Sequence, residues 1–151
     1  MDYEDNKFYV SVTAIIKRSD GRMLITKRTA SKKKWPNKWT VPGGRLERSD
    51  FLGTPTTTNS QWYHVLVNAV KREVREETGI EVTNVKFLCD LAIPDTVILS
   101  FVAEAVKLDP EVILQTEETD EYAWVTAEEA KSYDLIEGIQ EELEQAEYNV
   151  N

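Results

Sequence analysis

Three glutamates, Glu73, Glu76 and Glu77, are spaced at i, i+3 and i+4 in the segment REVREETGI. If this segment is helical, the carboxylates lie on one face and repel one another by about 0.2–0.5 kcal/mol per pair. They also lie near the C-terminal end, where the helix dipole disfavours anions. A hard divalent cation would remove both penalties, because it prefers oxygen ligands. The spacing therefore favours a metal site, with a solvated helix face as the alternative.

The helix that carries these glutamates is predicted over residues 61–78. Ser60 is placed to cap its N-terminus, and Gly79 follows its last residue, where left-handed geometry is common. Its apolar stripe is predicted to face the core and consists of Trp62, Leu66, Ala69 and Val70. Charged side chains continue that stripe where a structural helix would place leucine or alanine.

The elements around this helix are mostly strands. A hairpin is predicted over residues 8–28, followed by a basic loop, a short apolar stretch and the glycine pair of the PGG sequence. Residues 48–60 are predicted to be a loop. Further strands are predicted over 80–93, 96–106 and 121–125, and acidic helices follow from Thr126 and over 137–147. The pattern predicts one mixed α/β layered domain that spans residues 1–151.

Composition limits the function further. The chain has 151 residues, 18 basic and 27 acidic side chains and one cysteine. A single cysteine excludes an intramolecular disulfide and a cysteine-based zinc site, and the net charge of −9 argues against general nucleic-acid binding. The start, MDYEDNKF, lacks the features of a signal peptide, and no apolar run is long enough for a membrane span. We therefore expect a cytoplasmic protein with no membrane partner.

The residues around the glutamates resemble a known motif. Residues 72–80 match the second half of the Nudix box, G-x5-E-x7-R-E-U-x-E-E-x-G-U with U aliphatic, at every fixed position. Upstream, PGGRLE at residues 42–47 is similar to the PGGxxE loop of the same family. The chain thus resembles the MutT-like Nudix hydrolases over nearly its whole length. This resemblance implies an α/β/α sandwich with a mixed β-sheet and a catalytic loop-helix.

The box is interrupted in this chain. Counting from Gly44, its first glutamate position falls on Asp50, and 21 residues separate Asp50 from Arg72 where the box has seven. In the family, the arginine typically pairs with that first acid, so the question is whether Asp50 reaches Arg72. Three alternative roles are open for the inserted segment, residues 51–64: it extends the helix, forms a lid over the substrate, or builds a subunit contact. The third role would make the protein a homodimer.

The resemblance also implies roles for single residues. Glu73, Glu76 and Glu77 would bind the divalent metal, Mg²⁺ or alternatively Mn²⁺. The backbone carbonyl of Gly43 would add an oxygen ligand, which explains a glycine loop that needs close approach. Arg72 would orient this loop against the helix.

A further acid from a later loop completes the metal site or acts as base in related enzymes. Glu118 is the candidate, with Glu117 and Glu121 as alternatives. Either Glu73 or Glu118 would accept the proton of the attacking water, and the sequence does not choose between them. The reaction that the resemblance implies is hydrolysis of a nucleoside diphosphate linked to another moiety.

The basic segment of residues 17–48 is predicted to attract a polyphosphate substrate toward the carboxylates of the site. Arg28, Lys38 and Arg45 are the predicted phosphate contacts. The candidates for stacking on a nucleobase are Trp35, Trp39, Phe8 and Tyr122, with a place in the core as the alternative. Lys32–Lys34 are predicted to be a solvated loop.

Two other function classes are weighed against the hydrolase. A non-catalytic nucleotide-binding or sensing module would fit the interrupted box, although it has no need for the glutamate cluster. Isoprenoid diphosphate isomerisation would need a reactive cysteine in the site. Cys89 lies in an apolar strand, which argues against that chemistry.

Overall fold

The computed structural model describes residues 3–148 as seven strands and three α-helices, with two short 3₁₀ helices at Tyr3–Asn6 and Arg48–Asp50. The strands are β1 (Tyr9–Lys17), β2 (Met23–Arg28), β3 (Trp39–Thr40), β4 (Gly43–Arg45), β5 (Val82–Ile93), β6 (Thr96–Ala105) and β7 (Thr119–Val125). The helices are α1 (Val65–Thr78), α2 (Ala127–Ala130) and α3 (Ile139–Tyr148). None of the helices among the described residues is long and apolar enough to cross a membrane.

The strands form one mixed sheet in the order β3-β2-β1-β6-β5, with β4 paired to β1 and β7 paired to β2. β1 and β6 are parallel, and the other pairs are antiparallel. β1 and β2 are paired at Lys17 and Met23, next to their connecting turn. Farther from the turn, β1 and β2 are no longer paired with each other. There β1 pairs with β4, and β2 pairs with β3. The sheet therefore opens between these two pairs of strands.

The side chains of β1 alternate between two cores, as expected for a strand that is covered on both faces. Val12, Ala14 and Ile16 pack with α1 on one face of the sheet, whereas Ile15 packs with α2 and α3 on the other. All four side chains are at most 1% exposed. This arrangement is the predicted α/β/α sandwich, and the predicted hairpin and following strands are confirmed.

The start of the central helix differs from the prediction. α1 begins at Val65 and not at residue 61, because His64 adopts the left-handed conformation with φ of 62°. Trp62 therefore lies outside the helix, and the predicted cap at Ser60 is wrong. The other end is as predicted, since Gly79 is left-handed with φ of 72° and its N–H donates to the Arg75 carbonyl. The last helix begins at Ile139, directly after the left-handed Gly138.

Candidate active site

The glutamates of α1 flank the buried stripe of the helix rather than continue it. The buried stripe is Ala69, Val70, Val74 and Thr78. The Glu73 side chain is 12% exposed, and that of Glu76 is 54% exposed. Glu77 is partly buried. The helix thus turns two of its three glutamates toward the protein and leaves Glu76 at the surface.

The glycine loop approaches these two glutamates closely. The Gly43 N–H donates to Glu77 Oε1 at 3.4 Å. A Cβ atom at Gly44 would overlap the carboxylate of Glu73, and one at Gly43 would overlap the backbone of Val12. Gly43 therefore admits no side chain, whereas a side chain at Gly44 would displace the Glu73 carboxylate, which explains the PGG sequence in physical terms.

The Glu73 and Glu77 carboxylates lie in an environment that opposes their charge. Burial, and to a smaller extent repulsion from Glu73, raises the pKa of Glu77 to about 8. The hydrogen bond from the Gly43 N–H and the charges of Lys32 and Arg28 lower this pKa, but they do not offset the effect of burial. Burial also raises the pKa of Glu73, although Arg72 opposes it. Two part-buried carboxylates with raised pKa values suit a bound cation, which would stabilise both as anions.

The carboxylates are not yet gathered into a metal centre. Across residues 3–148, no three carboxyl, imidazole or thiol groups converge on a common point at metal-binding distance. Arg72 bridges two of them, since its Nη1 lies 2.9 Å from Glu73 Oε1 and 3.1 Å from Glu76 Oε2. The oxygen donors fit a hard divalent cation by their chemistry. Binding would require Arg72 to release part of this pairing.

Arg72 also joins the helix to the glycine loop. Its Nη2 donates to Asp50 Oδ2 at 3.1 Å and to the Arg45 carbonyl at 3.2 Å, and its Nε forms a second contact with the Asp50 carboxylate. The Asp50 side chain is 2% exposed. Asp50 therefore reaches Arg72, and the shorter acid occupies the position of the first box glutamate.

The inserted segment closes on itself. The rings of Phe51 and Trp62 lie 5.5 Å apart, and Trp62 Nε1 donates to the Thr54 carbonyl at 3.0 Å. The Thr57 N–H donates to the Gln61 carbonyl at 2.8 Å. The segment does not extend the helix, and none of its residues lines the cleft described next. Its role in a subunit contact stays a prediction.

A cleft of about 700 Å³ opens beside the glycine loop. Gly43, Gly44, Glu77, Arg28 and Glu118 line it on the side of the glutamates, and β5, β6 and α3 line its other side. Its walls include residues of both pairs of strands between which the sheet opens. The cleft gives Glu77 access to a ligand of nucleotide size.

The loop before β7 brings Glu118 to this cleft. The Gln115 N–H donates to the Glu77 carbonyl at 3.0 Å, and the Thr29 N–H donates to the Glu118 carbonyl at 3.2 Å. The Glu118 carboxylate forms an ion pair with Lys32. The loop is thus fixed between the end of α1 and the end of β2, so that Glu118 faces the cleft beside a cation.

The two alternative acids lie elsewhere. Glu121 pairs with Lys27 at 2.9 Å on the sheet surface. The backbone carbonyl of Glu117 accepts a hydrogen bond from Thr29 Oγ1 at 3.3 Å. Neither residue lines the cleft, which leaves Glu118 as the acid of this loop that does.

Two basic residues lie at the glutamate end of the cleft. Arg28 lines it, and its Nε donates to the Lys34 carbonyl at 3.0 Å. Burial lowers the pKa of Arg28, although the charge of Glu77 opposes this effect. Lys32 was predicted to belong to a solvated loop, but its side chain is only 25% exposed and pairs with Glu118. No spacing in the sequence distinguishes Lys32 from Lys33, because the fold of the loop decides which lysine turns inward.

The other three predicted substrate contacts lie away from the cleft. Lys38 pairs with Asp134 at 2.7 Å. The guanidinium carbon of Arg45 lies 3.7 Å from the centre of the Tyr9 ring, a cation–π contact. Trp39 packs edge-on against a tyrosine ring in the core between the sheet and α3. Of the four candidate aromatic residues, Trp35 is the one that lines the cleft, and it is 42% exposed.

Comparisons with known proteins agree with this geometry. The model of the NUDIX domain family matches residues 7–145. The nucleoside triphosphatase NudI of Klebsiella pneumoniae (strain 342) is 27% identical over 131 residues, covering 78% of this chain and 82% of the relative. The MutT protein from Methanosarcina mazei Go1 has a TM-score of 0.65 at 23% identity, covering 93% of each chain.

A third similarity concerns a liganded structure. The NUDIX domain of Shewanella oneidensis NrtR, crystallised with ADP ribose, has a TM-score of 0.69 at 17% identity, covering 93% of this chain and 86% of that one. At this identity the likeness supports the fold alone. Because the family model spans nearly all of the chain and the glutamate-bearing helix packs on its glycine loop, the chain belongs to the NUDIX domain family and is a Nudix hydrolase.

Proposed function

We propose that this protein hydrolyses a diphosphate bond in a nucleoside diphosphate linked to another moiety, with Mg²⁺ as its cofactor and Mn²⁺ as the alternative. The substrate classes are nucleoside triphosphates, nucleotide sugars, ADP-ribose and dinucleoside polyphosphates. The observation that carries the proposal is the pair of part-buried glutamates, Glu73 and Glu77, packed on the glycine loop at the cleft. The relative named as a nucleoside triphosphatase supports it.

The metal would be held by Glu73, Glu76, Glu77 and the Gly43 carbonyl. When bound, it supplies charge neutralisation at the phosphoryl oxygens and lowers the pKa of a water molecule. The raised pKa values of Glu73 and Glu77 support this assignment, because burial and the repulsion between carboxylates oppose their ionisation, whereas a bound cation would favour it.

The chain's own groups bind and orient the substrate. Arg28 and Lys32 lie beside Glu77 and Glu118, where they would contact phosphate oxygens. An incoming polyphosphate would compete with Glu118 for Lys32, which would free the Glu118 carboxylate. Glu73 or Glu118 would then accept the proton of the attacking water. Arg72 acts as a positioning residue through Asp50 and the glycine loop.

The proposal is tested by incubating the protein with the four substrate classes and Mg²⁺ or Mn²⁺, and identifying the products by chromatography and mass spectrometry. We expect a nucleotide plus pyrophosphate or a second phosphorylated product, and no turnover in excess chelator. The variant Glu77→Gln removes a ligand of the proposed metal. Its matched control is Glu81→Gln, at an exposed glutamate just after α1. Tight binding of one compound without turnover of any would favour the sensing module and contradict the proposal.

A further inference from the structure

The pairing of β2 with β7 changes register directly before Glu118. Lys27 lies opposite Glu121, whereas Arg28 lies opposite Thr119, so β7 contains one residue more than β2 at this point. Such a β-bulge re-aims the side chains next to it and is common beside active sites. The bulge therefore contributes to the choice of the acid that faces the cleft.

Thr29 holds the chain in place beyond this bulge. Its backbone N–H donates to the Glu118 carbonyl at 3.2 Å, and its Oγ1 donates to the Glu117 carbonyl at 3.3 Å. Ser31 Oγ lies 3.0 Å from Thr29 Oγ1 and donates to it, because the hydroxyl hydrogen of Thr29 is used in the contact with Glu117. One residue thus binds the backbone carbonyls of both adjacent glutamates.

These backbone contacts matter most when a substrate is bound. In the protein alone, the Lys32 ammonium group also holds Glu118, through an ion pair with its carboxylate. Under the proposed function, phosphate oxygens would bind Lys32 and this ion pair would be lost. The contacts from Thr29 do not involve the Glu118 carboxylate, so they would persist. The carboxylate would then be free to act while the main chain that carries it stays fixed.

We infer that Thr29 is a positioning residue that directs the Glu118 carboxylate, rather than that of Glu117, into the cleft. Glu118 lines the cleft, and Glu117 does not. A slip of one residue at the bulge would exchange these two neighbours, since successive side chains of a strand point to opposite faces. The Thr29 hydroxyl opposes this slip because it binds the Glu117 carbonyl. The inference rests on the proposed function, in which Glu118 is a candidate proton acceptor.

The test compares kcat and KM of the full-length protein with the compound of the four substrate classes that it hydrolyses fastest. Thr29→Val removes the hydroxyl at nearly constant shape. We expect kcat to fall by about tenfold or more while KM stays within about twofold, because a misplaced acid impairs the reaction and not the binding of phosphate. Thr29→Ser should restore most of the lost kcat, since serine offers the same donor. The matched control is Thr58→Val, which removes a hydroxyl contact with Gln61 in the inserted segment and should leave both constants unchanged.

A second comparison separates positioning from general damage. In the background of Glu118→Gln the carboxylate is already absent, so Thr29→Val should lower kcat no further. An equal further fall in that background would overturn the inference, because the hydroxyl would then act independently of Glu118. Hydrogen exchange followed by mass spectrometry needs no turnover. In Thr29→Val, we expect faster exchange in residues 115–120 and unchanged exchange in α1.

The outcomes distinguish this inference from the proposed function. Turnover by the wild type with an unchanged kcat in Thr29→Val overturns the inference and leaves the hydrolase in place. Unchanged turnover in Glu118→Gln does the same, because no acid then needs to be positioned there. Absence of turnover by the wild type contradicts the proposed function, and the exchange measurement then decides whether Thr29 fixes residues 117–118. If Thr29→Val does not fold, Thr29→Ala replaces it in every comparison.

Discussion

The Asp50 carboxylate accepts a 3.1 Å hydrogen bond from Nη2 of Arg72 across 21 intervening residues. It also accepts the Glu47 N–H at 2.8 Å, so Asp50 ties the end of the glycine loop to α1. The insertion between the two residues packs against itself and leaves this contact in place. The two parts of the interrupted box are therefore held in contact by the ion pair between Asp50 and Arg72.

Removal of the Asp50 carboxylate should destabilise the protein. We expect Asp50→Ala to lower the free energy of unfolding by about 1.5–3 kcal/mol, because a charged hydrogen-bond network is lost. Urea denaturation at neutral pH measures this effect. Asp109→Ala, at an exposed aspartate, should change the free energy of unfolding by less than about 0.5 kcal/mol. Equal effects of both substitutions would show that the Arg72 contact does not stabilise the fold.

The stabilising effect of Asp50 should depend on pH. Burial alone would raise its pKa, but the hydrogen bonds from Arg72 and the Glu47 N–H bring the pKa below its ordinary value. A carboxyl with a lowered folded-state pKa stabilises the fold above its unfolded pKa of about 3.9 and loses this contribution as the pH falls through the folded-state value. The difference in unfolding free energy between wild type and Asp50→Ala should therefore shrink in acid. A difference that grows below pH 4 would contradict this expectation.

Glu77→Gln should separate activity from stability. We expect turnover of the identified substrate to fall by roughly two or more orders of magnitude, because a ligand of the proposed metal is lost. Without metal, the melting temperature should change little at neutral pH, because a pKa of about 8 leaves the Glu77 side chain mostly uncharged and glutamine has a similar shape. Glu81→Gln should retain both properties. Unchanged turnover in Glu77→Gln would exclude Glu77 as a metal ligand.

Gly44→Ala should impair the site by displacing Glu73, because the added Cβ would overlap that carboxylate. We expect a large loss of turnover in a steady-state assay. Gly53→Ala is the control, since Gly53 has open space around it but a positive φ of 86°. Both substitutions should reduce stability, and only Gly44→Ala should reduce activity. Normal activity of Gly44→Ala would mean that the approach to Glu73 is not needed.

Lys32→Met should weaken substrate binding. The side chain pairs with Glu118 at the cleft, and we expect its loss to raise KM by about tenfold, since a charged hydrogen bond to phosphate is removed. Lys33→Met removes the neighbouring lysine, which is exposed, and should leave KM unchanged. Steady-state kinetics of both variants tests the assignment, which fails if they behave alike.

Trp62→Ala should affect the inserted loop and spare the active site. The ring pair with Phe51 is worth about 0.5–1.5 kcal/mol, so we expect a modest loss of thermal stability. Turnover should stay within about twofold of wild type, because the inserted loop does not line the cleft. A large loss of activity at constant fold would instead indicate that this loop acts as a lid.

Local patterns in the sequence predicted most of the elements. β-Branched and aromatic residues predict β1, the SDGR turn predicts the hairpin to β2, and Gly79 predicts the end of α1, since these features depend on neighbouring residues alone. The start of α1 depends on more distant contacts. Trp62 continues the apolar period of the helix, yet it packs on Phe51 in the inserted loop, and the chain turns at His64 instead. Tertiary packing therefore overrides the helical period at this end.

The candidate site divides in the same way. By itself, the sequence determined the residue types and spacing of Glu73, Glu76 and Glu77, because a helix fixes their relative positions through its own geometry. Only the tertiary structure decided which of the distant residues meet them. It turns Lys32 toward Glu118, directs Lys38 to Asp134 and brings Asp50 to Arg72. Such contacts join residues far apart in the chain, and their geometry follows from the pairing of strands and the path of loops, which no local spacing encodes.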